Sequence, residues 1–247
     1  CWAAIIIAYI HKVPLVIRCG YIWSKSFEIE RFNYWREGKG IIGLFESILM
    51  RYGDAFIFCT DEIKDYYSQF IGEKNSIIIP NSYNLDTFNN KNNFKKEFDF
   101  IFVGRLIELK GIERMIPLIP KDMSLLVIGS GNLDTKLKNN DNVKIIDHLN
   151  NYDISNYYKK SKFYISMSLT EGNPKATYEA ILCGCYPILS DIIPHNRIID
   201  ELGYGKIVSG EENIEYYTDF KIDNNKLESF SRKYCMNKTI DIEREFI

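Results

Sequence analysis

The sequence has no surplus of charge of either sign: 31 Lys and Arg face 33 Asp and Glu, a formal net charge of −2. Nucleic-acid binding draws on a clustered basic surplus, so no nucleic-acid partner is expected. Long hydrophobic runs are also missing. Residues 2–10 are apolar, but they fall short of the ~20 residues that span a bilayer, and His11 and Lys12 end them. They carry no basic leader and no small-residue cleavage site, so they read as the end of a core helix rather than as a signal peptide. Histidine is scarce: His11, His148 and His195 leave few imidazoles for acid–base chemistry. The six cysteines (1, 19, 59, 183, 185, 235) form no disulfide framework. Most lie in apolar segments and read as small buried hydrophobes of a reducing compartment. Cys183 and Cys185 make a Cys-x-Cys pair, yet no second Cys or His pair stands at metal-site spacing, so no metal is expected.

What is present is an ordinary globular composition, 46% apolar and 26% charged over 247 residues. At about 100–200 residues per domain, that length fits one large domain or two small ones. Short apolar runs recur at 15–17, 55–58, 100–103, 125–128, 143–146, 163–166 and 187–190. Helix patterns separate them at 43–52, 62–70, 111–119, 133–139, 154–161, 174–183 and 212–220. Continuous apolar strands alternating with helices predict an α/β fold, a doubly wound parallel sheet covered on both faces. The polar, turn-rich stretch 89–97 breaks this rhythm and marks a domain boundary. The expected organisation is a front domain over 1–90, a fuller α/β domain over 91–225 and a closing helix over 226–247. Residues 27–39 interleave aromatics with charges, a pattern that fits an amphipathic helix on the core better than a membrane-edge surface.

In a doubly wound sheet, ligands sit outside the carboxyl ends of the strands, so the residues after each strand carry the functional reading. After 100–103 comes Gly104-Arg105-Leu106-Ile107-Glu108-Leu109-Lys110-Gly111. Gly104 lets backbone approach a ligand. Arg105 and Lys110 set a forked guanidinium and an ammonium on one turn, which suits a diphosphate and equally suits a solvated loop. After 125–128 comes Gly129-Ser130-Gly131-Asn132, which fits a phosphate contact or simply a tight strand-to-helix turn. After 163–166 comes Thr170-Glu171-Gly172-Asn173-Pro174-Lys175, running into Glu179. Asn173 reads as a helix N-cap and Pro174 as the first helical residue, so the amides of Asn173, Lys175 and Ala176 face the crevice as an anion site. Glu171 precedes the cap, and Glu179 lies in the second turn, about 7 Å further along the axis. Two carboxylates so placed could reach two parts of one extended ligand, and carboxylates accept from sugar and ribose hydroxyls. The plainer alternatives are a Lys175–Glu179 surface pair and a dipole-stabilising Glu171.

Three stretches in order carry more than each does alone. Phe102-Val103-Gly104-Arg105-Leu106 with Lys110-Gly111 precedes Val127-Ile128-Gly129-Ser130-Gly131, and Glu171-Gly172-Asn173-Pro174 with Glu179-Ala180 precedes Cys183-Gly184-Cys185-Tyr186-Pro187-Ile188. Together they resemble the donor-binding half of a GT-B glycosyltransferase of family 4, the retaining, nucleotide-sugar-dependent group. Glu171 and Glu179 match that family's E-x7-E motif, and Ile79-Pro80-Asn81-Ser82 with Asp86-Thr87-Phe88 resembles its domain-junction turn. Two departures stand out: Gly172-Asn173-Pro174 replaces the usual Gly-Phe-Gly, and Arg18-Cys19-Gly20-Tyr21 stands where many members carry a His.

The resemblance implies two Rossmann-like domains. The front one is expected to lack its start, since the chain opens at Cys1 inside an apolar run and such an enzyme runs past about 300 residues at ~150–200 per domain. It also implies roles. Arg105 and Lys110 bind the donor diphosphate, and Glu171 contacts the hydroxyls of the transferred sugar. Gly172, Asn173 and Lys175 offer backbone amides, with Gly104 and Gly129 in the same donor-binding set. Glu179 holds the ribose, and the neighbourhood of His148 meets the base. The implied reaction is metal-independent and cofactor-free transfer from a nucleoside-diphosphate-sugar to a glycan or lipid-linked hydroxyl, in glycan, polysaccharide or glycolipid biosynthesis. The implied location is cytoplasmic, with peripheral contact at the inner membrane face as a further option. A non-catalytic nucleotide-sugar-binding module and a GT-B-type sugar-nucleotide epimerase stay open as alternatives.

Overall fold

The computed structural model describes residues 2–22, 38–91, 94–133, 137, 140–209 and 220–246. The helices expected over 133–139 and 212–220 and the aromatic stretch 27–39 lie mostly outside these residues. The chain divides into two units, Cys1–Asn81 with Asn237–Ile247, and Ser82–Met236. These limits differ from the boundaries at 90 and 225 read from composition. Tyr83 and Phe88, and equally Leu227, Phe230 and Tyr234, are buried in the core of the second unit. A polar, turn-rich stretch signals a loop, and here the loop lies inside a unit.

In the first unit, α1 (Trp2–His11) precedes β1 (Val16–Cys19), and α2 (Gly38–Tyr52) precedes β2 (Ala55–Phe58). Next come α3 (Asp61–Ile71) and β3 (Asn75–Ile78), and the three strands pair in parallel in the order β1-β2-β3. Thr60 caps α3 by accepting from the Ile63 amide at 3.3 Å. Met50, Phe56, Phe58, Ile63 and Tyr67 form the core. One expectation fails here: α1 is no core helix, because it buries Ile5 but exposes Ile6, Ile7, Tyr9 and Ile10. A helix that is apolar all round reads as buried, whereas among the described residues only one side of it is covered.

The second unit holds six parallel strands: β4 (Phe98–Val103), β5 (Leu125–Ile128), β6 (Val143–Ile146), β7 (Ser161–Ser166), β8 (Tyr186–Ser190) and β9 (Lys206–Val208). Their order is β6-β5-β4-β7-β8-β9. Side chains alternate across the sheet. Phe100, Phe102, Leu125, Val127, Phe163 and Ile165 enter one layer, and Ile101, Leu126, Ile128 and Tyr164 the other. This is the doubly wound parallel sheet expected from the strand runs. Its helices are α4 (Ile112–Met115), α5 (Asn151–Lys159), α6 (Lys175–Leu182), α7 (Ile193–Leu202) and α8 (Asn224–Lys233), while α9 (Met236–Phe246) leads into the first unit. The single helix expected over 111–119 is broken instead. It becomes α4 followed by a 3-10 turn at Ile116–Leu118, because Pro117 lacks the N–H that a continuing helix needs. The cysteines 19, 59, 183 and 185 are free and buried, and burial pushes the Cys19 and Cys185 thiols up to about 12.

Strand order fixes where a ligand fits. The unit's first strand, β4, sits mid-sheet; β5 and β6 extend to one side and β7, β8 and β9 to the other. In such sheets the ligand crevice lies outside the carboxyl edge at this switch point, beside the loops after β4 and β7.

Candidate active site

Backbone packing builds this crevice before any side chain enters it. Gly129, with φ 145°, lies so close to the turn after β4 that a Cβ would stand 1.9 Å from the Gly104 carbonyl oxygen. A Cβ on Gly131 would stand 2.3 Å from the Leu106 carbonyl oxygen. The Leu106 amide donates to Ser130 O at 2.9 Å, and the Leu133 amide to Leu106 O at 3.1 Å. The Gly129-Ser130-Gly131 turn thus serves close packing of two loops. On the other side, the left-handed Gly111 (φ 65°) leaves room for the Met167 carbonyl, which a Cβ would meet at 1.8 Å. The Leu169 amide donates to Leu109 O at 2.9 Å. The turn carrying Lys110 is thereby fastened to the loop carrying Glu171.

That fastening brings the two together. Lys110 Nζ lies 2.6 Å from Glu171 Oε1, and Ser168 Oγ donates to the same oxygen at 2.7 Å. Both of these bonds use Oε1, and no hydrogen bond from a described residue is seen at Oε2. Ser166 Oγ lies 3.2 Å from Ser168 Oγ, and Ser190 Oγ donates to Ser168 O at 2.6 Å. His195 Nδ1 lies 3.1 Å from both Ser190 Oγ and Ser190 O. Ser166, Ser168, Ser190 and His195 are all buried. Burial pushes the imidazole down to about 4, with nearby Glu171 opposing the shift, so it is neutral at physiological pH. Pattern reading missed these four residues. Their only trace in the sequence is a Ser-x-Ser at the end of an apolar strand.

Helix α6 starts one residue later than expected. Pro174 is its N-cap, with φ −73° and ψ 91°, and no side chain caps it. Asn173 therefore does not take the capping place, and the Pro174 carbonyl accepts from the Thr177 amide at 3.1 Å. The Lys175 and Ala176 amides lie in the first turn, where no helical carbonyl precedes them. Glu179 is buried with Lys175 Nζ 3.5 Å away. Burial raises its carboxyl pKa, and Lys175 offsets part of the rise. Arg105 is exposed on the turn after β4, while Gly104, Gly172 and Asn173 are half-buried. His148 is exposed after β6, two strands from β4. Among the described residues, no group of three His, Cys, Asp or Glu is placed to hold a metal ion, and no helix is long and apolar enough to cross a membrane.

The family model described as "Glycosyl transferases group 1" matches residues 85–230, inside the second unit. An uncharacterized glycosyltransferase of Methanocaldococcus jannaschii is 28% identical over 217 residues, covering 74% of this chain and 52% of that protein. The chain thus spans about half the length of this curated relative. Among solved structures, a sucrose-phosphate synthase from Thermosynechococcus elongatus is similar with a TM-score of 0.75 at 15% identity, over 99% of this chain and 71% of that one. HepE of Anabaena, solved with UDP and glucose, is similar with a TM-score of 0.77 at 15% identity, over 98% of this chain and 73% of that one. At these identities the likeness is one of fold.

Proposed function

The chain belongs to the group 1 glycosyl transferases and shares the GT-B fold of its structural neighbours, and from that premise we propose that it transfers a sugar from a nucleoside-diphosphate-sugar to a hydroxyl acceptor with retention. The observation that carries this is the Lys110–Glu171 pair at the point where strand order reverses. Glu171 spends Oε1 on Lys110 and Ser168 and keeps Oε2 for sugar hydroxyls. Arg105 and the Lys175 and Ala176 amides take the diphosphate, Lys110 adds positive charge beside the leaving oxygen, and Glu179 takes the ribose. Gly104, Gly129, Gly172 and Asn173 shape the backbone around the donor, and the loop at His148 lies toward the base.

In the reaction, the bond from the anomeric carbon to the diphosphate oxygen breaks and a bond to the acceptor oxygen forms on the same face. The acceptor proton leaves with the diphosphate. Negative charge grows on the departing phosphate, and preorganised cations with a helix end stabilise it without requiring a divalent ion. HepE's complex with UDP and glucose supports UDP-glucose as the first donor to try. We place the acceptor among glycans or lipid-linked glycans and the enzyme in the cytoplasm.

A thermal-shift panel of UDP-, GDP-, ADP- and CMP-sugars tests the donor, since a ligand that binds the native state raises its stability. Product analysis in EDTA, with and without added acceptors, then tests the reaction. R105A and K110A are each expected to lower turnover by about tenfold or more, as loss of one charged contact to a developing charge does. Unchanged kinetics in both variants would remove the assignment. A changed sugar nucleotide without acceptor would favour an epimerase, and binding without transfer or donor hydrolysis a binding module.

A further inference from the structure

The bonds beneath Glu171 have a definite direction. Ser190 Oγ gives its proton to Ser168 O at 2.6 Å, so towards His195 Nδ1 it accepts, as the Ser190 carbonyl must. Nδ1 therefore carries the ring proton. Ser168 Oγ gives its proton to Glu171 Oε1 at 2.7 Å, so it accepts from Ser166 Oγ at 3.2 Å. One branch runs from Ser166 through the Ser168 hydroxyl to the carboxylate, and the other from His195 through Ser190 to the Ser168 carbonyl. Ser168 is held at its carbonyl by one branch and at its hydroxyl by the other, which leaves its donor a single orientation. His195 bonds only through Nδ1, and its buried Nε2 has no partner among the described residues.

Three buried hydroxyls and a buried imidazole are costly at the ends of β7 and β8, where small apolar side chains would serve the fold. We propose that His195, acting through Ser190 and Ser168, is a positioning residue that holds Glu171 Oε1 in place so that Oε2 faces the transferred sugar. The sugar's part in this rests on the donor-site reading above.

Because only the Nδ1 side is used, the amide of Asn can stand in for it and that of Gln, one carbon further out, cannot. The test compares H195L, H195N, H195Q and the gentler S190A with the unmodified protein. It reads kcat for UDP release from UDP-glucose and the calorimetric Kd of UDP, or the same pair for whichever base the panel selects. H195L and S190A should lower kcat by about tenfold, the scale of one lost buried hydrogen bond, with UDP affinity within about twofold. H195N should recover most of kcat relative to H195L, and H195Q should not. Unaltered kcat in H195L and S190A, equal recovery by Asn and Gln, or UDP affinity falling in step with kcat would each overturn the proposal. If the unmodified protein binds no nucleotide sugar, the donor-site reading fails instead. A thermal-denaturation cycle of H195L with E171Q then decides: coupled effects uphold the network, and additive effects overturn it.

Discussion

A buried imidazole makes stability depend on pH through one residue. His195 titrates at about 4 in the folded chain against an ordinary 6.5, because burial disfavours its charge. Between those values the unfolded chain binds the proton and the folded chain does not, so stability rises with pH. The contribution is complete above the ordinary value and is lost as pH falls toward the folded one. At ~1.36 kcal/mol per unit, it amounts to roughly 3 kcal/mol. Urea denaturation at pH 7 and pH 4.5 should show H195N losing less stability than the unmodified protein, and equal losses would count against a buried neutral His195. Glu179 runs the other way, since its raised carboxyl pKa gives a contribution that fades as pH rises through it. Glycines add a second residue-scale prediction. Gly111 and Gly203 both have positive φ, 65° and 71°, but a Cβ on Gly111 meets backbone at 1.8 Å and one on Gly203 meets only the movable end of Lys226. G203A should cost about 1–2 kcal/mol for the left-handed backbone alone. G111A should cost clearly more, as chemical denaturation would measure. The sequence announces a turn at Gly111, but not the Met167 carbonyl that makes the turn indispensable.

Elements were legible where one physical signal dominated. Strands buried on both faces are continuous apolar runs, and β5 and β6 match their expected limits, as does β2 in the first unit. At three residues, β9 is too short to stand out, and α7 opens with Ile193-Pro194-His195-Asn196, which carries no apolar helix period. The Ser166–Ser168–Ser190–His195 chain joins β7, β8 and α7, so it arises only when the sheet forms. Helix α6, expected over 174–183 and found over Lys175–Leu182, is held in place by tertiary contacts. Tyr178 stacks on Tyr83 and Phe230 at ring distances of 5.4 and 5.5 Å and meets Tyr234 edge-on at 4.7 Å. The Tyr83 amide donates to Tyr234 O at 3.0 Å, which ties the same rings together through backbone. Y178A should therefore lower stability by about 3–5 kcal/mol, the range for deleting a buried aromatic ring. Y178F, which keeps the stacks, should lose much less. Urea midpoints of the two variants measure the contrast, and similar losses would mean that the hydroxyl rather than the rings anchors α6.

For the whole molecule, composition placed a boundary at 90 because polarity changes there, whereas burial of Tyr83 and Phe88 moves the division to Asn81 and Ser82. This division has a spectroscopic consequence. By sequence number all three tryptophans, Trp2, Trp23 and Trp35, fall within the span of the first unit, while Arg105, Lys110, Glu171 and Glu179 fall within that of the second. Among the described residues, the second unit has apolar cores on both faces of six strands, and the first has one core beside three strands with apolar residues of α1 exposed. Tryptophan fluorescence should therefore melt at a lower temperature than the main transition seen by far-UV circular dichroism. A donor nucleotide-sugar at 100 times its Kd stabilises what it binds by about 2.7 kcal/mol. For a domain of the second unit's size, that corresponds to roughly 5–10 °C at ~2–4 °C per kcal/mol. The shift should appear in circular dichroism and leave the fluorescence transition in place. Equal shifts in both signals would mean that the two units unfold as one cooperative body, and a shift in fluorescence alone would move the donor contacts to the first unit.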